Sequence, residues 1–280
     1  MTTNANDVPE VPAIALNDGS TIPQLGFGVW RVPQDQAAAV VGEALSVGYR
    51  HIDTAQGYAN EQGVGEAVRA SGLRREQVFV TTKVRNDAQG HRRSIEALEQ
   101  SLERLGFEYV DLYLIHWPQP RLDTYVETWE GLIEARERGL TRSIGVSNFH
   151  LPHLERIITA TDVVPSVNQI ELHPWLTQTA LVEATRSLGI QVEAWAPLAR
   201  GEILREEPLT RIAESHGKTV AQVVIRWHLQ LEHIVFPKSA TPARIAANFD
   251  VFDFELSPAE MQRISDLNRD MRTGENPDDL

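Results

Sequence analysis

Two hydrophobic rhythms take turns along this chain. Short runs rich in β-branched and aromatic residues, such as VFVTT at 78–82, VDLYLIHW at 110–117 and SIGVSN at 143–148, alternate with longer stretches whose apolar positions recur three and four residues apart. The first rhythm predicts strands and the second predicts amphipathic helices. Residues 13–31 carry two apolar runs around Asn17-Asp18-Gly19, the signature of a β-hairpin. Beyond it the spacing predicts helices over 35–47 (with Asp35 as N-cap), 61–71, 91–106, 125–138, 151–160, 177–188, 208–216, 219–231, 242–248 and 258–269. Strands are predicted at 24–30, 51–52, 78–82, 110–117, 143–148, 166–172, 190–196 and 233–237.

Eight strands, each followed by a helix, imply a parallel sheet with right-handed crossovers. Eight such units in one chain of 280 residues match a (β/α)₈ TIM barrel with an N-terminal β-hairpin. An open doubly wound sheet would carry Gly-x-Gly-x-x-Gly after its first strand. GFGVWR (26–31) lacks the third glycine, and GVGEAV (63–68) lacks it too and sits inside a helical pattern. No linker or repeat divides the chain, so a single domain over 1–280 is expected, with polar, flexible tails at 1–12 and 272–280.

Composition narrows the function classes. The net charge of −13 disfavours nucleic acid and acidic membrane surfaces as partners. With no cysteine, disulfides, thiol catalysis and cysteine-zinc sites are excluded, and no metal is expected. The N-terminus MTTNANDVPEVP lacks a secretory pattern, and no apolar run reaches membrane-spanning length. A cytoplasmic monomer acting on a small molecule is the expectation.

In a barrel, chemistry gathers where strands end at their carboxyl side. Asp53, Lys83 and His116 close three consecutive predicted strands, and Tyr58 follows Asp53 in a glycine-containing loop. Alone, each has a bland explanation: a helix cap, a solvated cation, a structural histidine, a packing phenol. Together they make a site. Asp53 would hold the Lys83 ammonium, which would lower the Tyr58 phenol from its usual pKa of about 10 and so make it a better general acid. A neutral His116 would orient the substrate oxygen. Lys83 is also a candidate Schiff-base nucleophile of a barrel lyase, although an aspartate partner would keep it charged. Ser147, Asn148 and Gln169 suit a carboxamide, and Trp195 offers a stacking face. Lys238, Ser239 and Arg244 surround the last strand-to-helix turn, a place for an anion.

The stretches GYRHIDTAQGYANEQGVG, TTKV, DLYLIHWP, GVSNF, NQIELHP, AWAPL and VFPKS through Arg244 resemble the aldo-keto reductase superfamily over nearly the whole chain. The short loops and NFDVFDFELSPAEM look most like the bacterial 2,5-diketo-D-gluconate reductase branch. The resemblance implies NADPH bound without a Rossmann fold and reduction of aldehydes, ketones, dicarbonyls or keto-sugars. Tyr58 would be the proton donor, Lys83 and Asp53 would tune it, and His116 would orient the carbonyl. Ser147, Asn148, Gln169, Trp195, Ala196 and Leu198 would line the nicotinamide end of the cofactor site. Lys238, Ser239 and Arg244 would meet the 2′-phosphate, with Asn248 near the adenine. Trp30 and Trp117 would wall the substrate pocket. Two positions depart from the family pattern: Arg85 replaces an aromatic residue, and Ala247 replaces a glutamate beside Asn248. Some members of the superfamily are non-enzymatic subunits of channels, a further alternative. The short C-terminal end predicts an open pocket.

Overall fold

The structure, a computed structural model, describes residues 11–280. Of the expected tail at 1–12, residues 1–10 lie outside the described residues, and Pro12 O accepts from Gln24 N. Strands β1 (Ala13–Ala15) and β2 (Thr21–Pro23) pair antiparallel as the predicted hairpin. Eight parallel strands follow: β3 (Phe27–Gly28), β4 (His51–Asp53), β5 (Phe79–Val84), β6 (Val110–Ile115), β7 (Thr141–Ser147), β8 (Val167–Glu171), β9 (Gln191–Trp195) and β10 (Ile234–Val235). They pair in chain order, and Leu25 bridges to Val235 to bring the two ends together. This is the expected (β/α)₈ barrel. Its first strand is shorter than the sequence predicts. Only Phe27–Gly28 pairs regularly, because the chain around it bonds instead to the β10 side, with Gly26 N donating to Val235 O and Val235 N to Gln24 O.

Among the described residues ten helices form the outer ring and the connections: α1 (Gln34–Val47), α2 (Glu61–Ala70), α3 (His91–Leu105), α4 (Tyr125–Glu137), α5 (Leu151–Thr161), α6 (Thr179–Ser187), α7 (Glu207–His216), α8 (Val220–Gln230), α9 (Pro242–Phe249) and α10 (Pro258–Ser265). Local chemistry explains the limits of several. In α3, Ile95, Leu98, Leu102 and Leu105 fall on one face and are buried, and Gly106 ends the helix in the left-handed region at φ 68°. Ser257 opens α10 with a reciprocal capping box to Glu260, followed by Pro258 at the first position. Two limits correct the sequence reading. Asp35 is not the cap of α1; Pro33 precedes the helix without a side-chain bond, and Asp35 lies in the first turn, where its charge suits the helix dipole. Helix α10 stops at Ser265 rather than running to 269, because Asn268 turns to accept a bond from the Thr177 amide.

The barrel interior is apolar at its base. Leu112, Leu114, Val167 and Ile234 meet Leu16 and Ile22 of the hairpin, which plugs that end. The larger core lies between strands and helices, with Phe27, Tyr49, Trp129 and Phe149 fully buried. At the other end the last residues are not loose. Thr273 and Gly274 amides bond to the carboxylate of Glu171, Arg272 donates to Gln178 Oε1, and His150 bonds to Asp278. The expected free tail at 272–280 is tied down because Glu171, at the end of β8, accepts its backbone. Among the described residues no helix is long and apolar enough to cross a membrane.

Candidate active site

Strand geometry brings four of the predicted residues together at the open mouth. Asp53 ends β4 and Lys83 lies on β5, and both side chains are buried. Lys83 Nζ donates to Asp53 Oδ1 at 2.7 Å, to Oδ2 at 2.8 Å and to the Thr54 carbonyl at 2.9 Å. Tyr58 ends a short 3₁₀ turn, Gln56–Tyr58, beyond β4. Its hydroxyl lies 3.5 Å from Lys83 Nζ, and Lys83 stands 5.1 Å from the ring centroid. His116 lies one residue past β6 and meets Tyr58 edge to face, with ring centroids 5.7 Å apart.

Electrostatics sort these groups. Burial would lower the Lys83 ammonium, but Asp53, Tyr58 and Glu193 together hold it above the ordinary lysine value. A lysine that stays charged and makes three hydrogen bonds is no Schiff-base nucleophile, which removes the lyase reading. Desolvation, then the charge of Lys83, holds His116 down to about 3, so it is neutral at ordinary pH. Burial pushes the Tyr58 phenol up, with Lys83 opposing. This corrects the sequence expectation of a lowered phenol. Desolvation of the phenol outweighs the Lys83 charge, and the Asp53 carboxylate adds to the rise.

The predicted cofactor residues occupy one side of the mouth. Gln169 on β8 donates through Nε2 to Asp53 Oδ2 at 2.9 Å and to Glu193 Oε2 at 2.8 Å. Ser147 and Asn148 are already committed within the protein. Ser147 Oγ donates to the Gln169 carbonyl, while Asn148 Nδ2 donates to the His116 carbonyl and to Ser147 Oγ. Asn148 Oδ1 accepts from Trp195 Nε1 at 2.8 Å, so a carboxamide reaching either residue would exchange one of these bonds. Ala196 and Leu198 follow Trp195 and are half-buried.

Past β10, the strand paired with β9, Lys238 and Arg244 are exposed around Ser239 and the start of α9, three residues past β10 in the case of Lys238. Among the described residues no carboxylate lies within 4.0 Å of either cation. Unpaired cations at a helix N-terminus suit a phosphate, and an unpartnered amide oxygen on Gln169 suits a carboxamide NH₂. The residues present therefore fit a nicotinamide dinucleotide phosphate. Asn248 is buried beside Ala247 on α9, which offers no carboxylate there.

At the rim, Trp117 meets Trp195 edge to face with centroids 6.4 Å apart. Trp30 is 37% exposed and is flanked by the guanidinium groups of Arg31 and Arg200, 4.2 and 5.0 Å from its ring centroid. Arg85 is exposed and pairs with Asp87 at 2.8 Å. The sequence reading missed Glu193. Its signal was present: an acid in the apolar run IQVEAWA, two residues before Trp195 and so on the same strand face.

A plugged (β/α)₈ barrel with a buried lysine-aspartate pair beneath a phenol at its open mouth defines a barrel enzyme. The chain belongs to the aldo/keto reductase family, whose model matches residues 24–269. It is 52% identical over 266 residues to an aldo-keto reductase of Mycobacterium sp. (strain KMS), spanning 95% of this chain and 96% of that one. It is 48% identical over 267 residues to the methylglyoxal reductase DkgA of Escherichia coli (strain K12), with 95% and 96% covered. Among solved structures, a Gox0644 mutant in complex with NADPH superposes with a TM-score of 0.94 at 48% identity, covering 97% of this chain and 99% of that one.

Proposed function

We propose that the protein is an NADPH-dependent carbonyl reductase acting on small aldehydes and dicarbonyls of the methylglyoxal class. The observation that carries this reading is the stack of Asp53, Lys83 and Tyr58, with Lys83 Nζ bonded to both Asp53 oxygens at 2.7 and 2.8 Å and 3.5 Å from the Tyr58 hydroxyl. The family, the DkgA relative and the NADPH complex of Gox0644 support it.

NADPH, when bound, supplies the hydride. The protein supplies the proton and its placement. As the carbonyl oxygen gains negative charge, Tyr58 transfers its phenolic proton to that oxygen. The phenolate left behind faces Lys83, whose ammonium stabilises it without having to move. Asp53 keeps Lys83 charged and fixed. Neutral His116 donates a hydrogen bond to the same oxygen and holds the carbonyl toward Tyr58. Gln169, Ser147, Asn148 and Trp195 would hold the nicotinamide end, with Ala196 and Leu198 beside it. Lys238, Ser239 and Arg244 would hold the 2′-phosphate, with Asn248 near the adenine. Trp30 and Trp117 would bound the substrate. The raised phenol makes Tyr58 a reluctant acid, which suits a donor that gives up its proton only to an oxygen becoming an alkoxide.

NADPH oxidation followed by near-ultraviolet absorbance against methylglyoxal, simple aldehydes and keto-sugars tests this. Turnover is expected with methylglyoxal, and no oxidation across the panel would end the reading.

A further inference from the structure

Glu193 is fully buried, yet none of the proton chemistry above uses it. It stands opposite Gln169 in the β8–β9 register. Its Oε2 accepts one amide hydrogen of Gln169 at 2.8 Å, while Asp53 Oδ2 accepts the other at 2.9 Å. Its Oε1 is sealed inside without a partner, whereas the unpartnered Oε1 of Gln169 is not among the sealed atoms. A buried carboxyl with a bare oxygen is expensive, and an apolar side chain of similar volume would pack there at lower cost. Its presence calls for a use.

We propose that Glu193 is a positioning residue for the cofactor's carboxamide, acting through Gln169: with Asp53 it takes both amide hydrogens and so fixes which end of that amide faces the mouth. The two ends of a glutamine amide are nearly the same shape, and only the hydrogen-bond network chooses between them. Held this way, Gln169 offers an acceptor to the mouth. Turned over, it would press its oxygen against the Asp53 carboxylate and offer a donor to the mouth. The inference rests on the dinucleotide reading of the site.

Charge favours the same arrangement. Asp53 on β4 and Lys83 on β5 face Glu193 alongside Gln169 on β8, and β10 sets only Ile234 beside it. One ammonium balances one carboxylate. Burial, followed by the Asp53 charge, pushes Glu193 up to about 8, so at neutral pH it is a neutral acceptor rather than a second buried anion.

The clamp can be read without dinucleotide. The side-chain amide of Gln169, assigned in the nitrogen-proton NMR spectrum by its loss in Gln169→Glu, should show both protons protected from exchange in the wild-type protein. Glu193→Leu should release one of them, and Glu193→Gln, which keeps an acceptor oxygen, should restore the protection. A freely exchanging amide in the wild type would overturn the proposal even if the leucine variant failed to fold.

The second readout uses NADPH deuterated at C4 on one face or the other. The wild type and Glu193→Gln should transfer label from a single face. Glu193→Leu should draw on both faces and bind NADPH roughly tenfold more weakly, the worth of about one hydrogen bond. Unchanged face selection and affinity in Glu193→Leu would also overturn the proposal. An unclamped amide leaves the reductase reading standing, whereas a wild type that fails to bind NADPH overturns that reading whatever the amide does.

Discussion

Lys83 and Asp53 form an ion pair cut off from solvent, with Nζ 2.7 Å from Oδ1 and side-chain exposures of 0% and 3%. Such a pair is fragile when halved and replaceable when whole, because removing one partner leaves an uncompensated buried charge. Lys83→Met should therefore lower stability by about 3–5 kcal/mol in a urea titration. Combining it with Asp53→Leu should recover most of that loss while leaving the protein inactive. A double variant as unstable as the sum of the singles would show that the pair stabilises the fold outright.

Tyr58 sits above that pair. Tyr58→Phe keeps the ring and its edge-to-face contact with His116 and removes only the proton donor. Turnover with methylglyoxal should fall about 10²–10⁴-fold, the usual worth of a general acid, with NADPH affinity by fluorescence titration unchanged. Parental turnover in this variant would mean that another group supplies the proton.

Acid should unfold the protein by proton uptake. His51 and His233, held down chiefly by burial, and His116 each titrate near about 3 in the folded state, against about 6.5 when unfolded. The native state therefore binds fewer protons than the unfolded chain between those values. Stability contributed by these histidines is complete above pH about 6.5 and drains away as pH falls toward about 3. The raised carboxyls of Glu193, Asp53 and Asp111 have the opposite sign, but His153 and His228, held down by burial as well, join the three histidines and outweigh them. Melting temperatures measured from pH 7 down to pH 4 should fall steadily, and a flat profile would contradict the depressed values.

Cofactor choice should depend on the exposed cations beyond β10. Arg244→Ala is expected to weaken NADPH binding about tenfold or more and to leave NADH nearly untouched, since only one dinucleotide carries the extra phosphate. Added salt should weaken NADPH binding in the wild type more than in the variant. Equal losses for both dinucleotides would show that Arg244 does not distinguish them.

Gly274, in the C-terminal segment, has no room for a side chain. A Cβ there would meet Trp195 Cη2 at 2.5 Å and Glu171 Oε2 at 3.2 Å. Gly274→Ala should cost about 1–3 kcal/mol through crowding, or escape part of that by lifting the segment off Glu171. Tryptophan fluorescence and the KM for methylglyoxal should shift together, because Trp195 lies in the mouth. An alanine variant with parental stability, emission and KM would mean that the segment gives way freely.

The barrel and the meeting of Asp53, Lys83, Tyr58 and His116 were legible because strand alternation says which side chains point inward. Strand ends, in turn, say which of those reach the open mouth. What stayed hidden depends on distances between strands far apart in the chain. The direction of the Tyr58 shift turns on how deeply the phenol is buried, which no spacing reveals. The docking of residues 272–280 depends on Glu171 meeting backbone a hundred residues away. Glu193 left a visible trace as an acid in an apolar strand, but its partner across the register appears only once β8 and β9 are aligned. The start of α1 is not legible because proline can precede a helix without a side-chain cap, while Asp35 has only the residue type of a cap.

The hairpin stopper formed by Leu16 and Ile22 makes the barrel a cul-de-sac. Whatever settles deepest, against Lys83 and Gln169, has to arrive before anything that rests near Trp30, and it can depart only afterwards. Sharing a single doorway thus imposes a queue on the two reactants, and initial-rate kinetics with product inhibition should reveal an obligatory order rather than random entry.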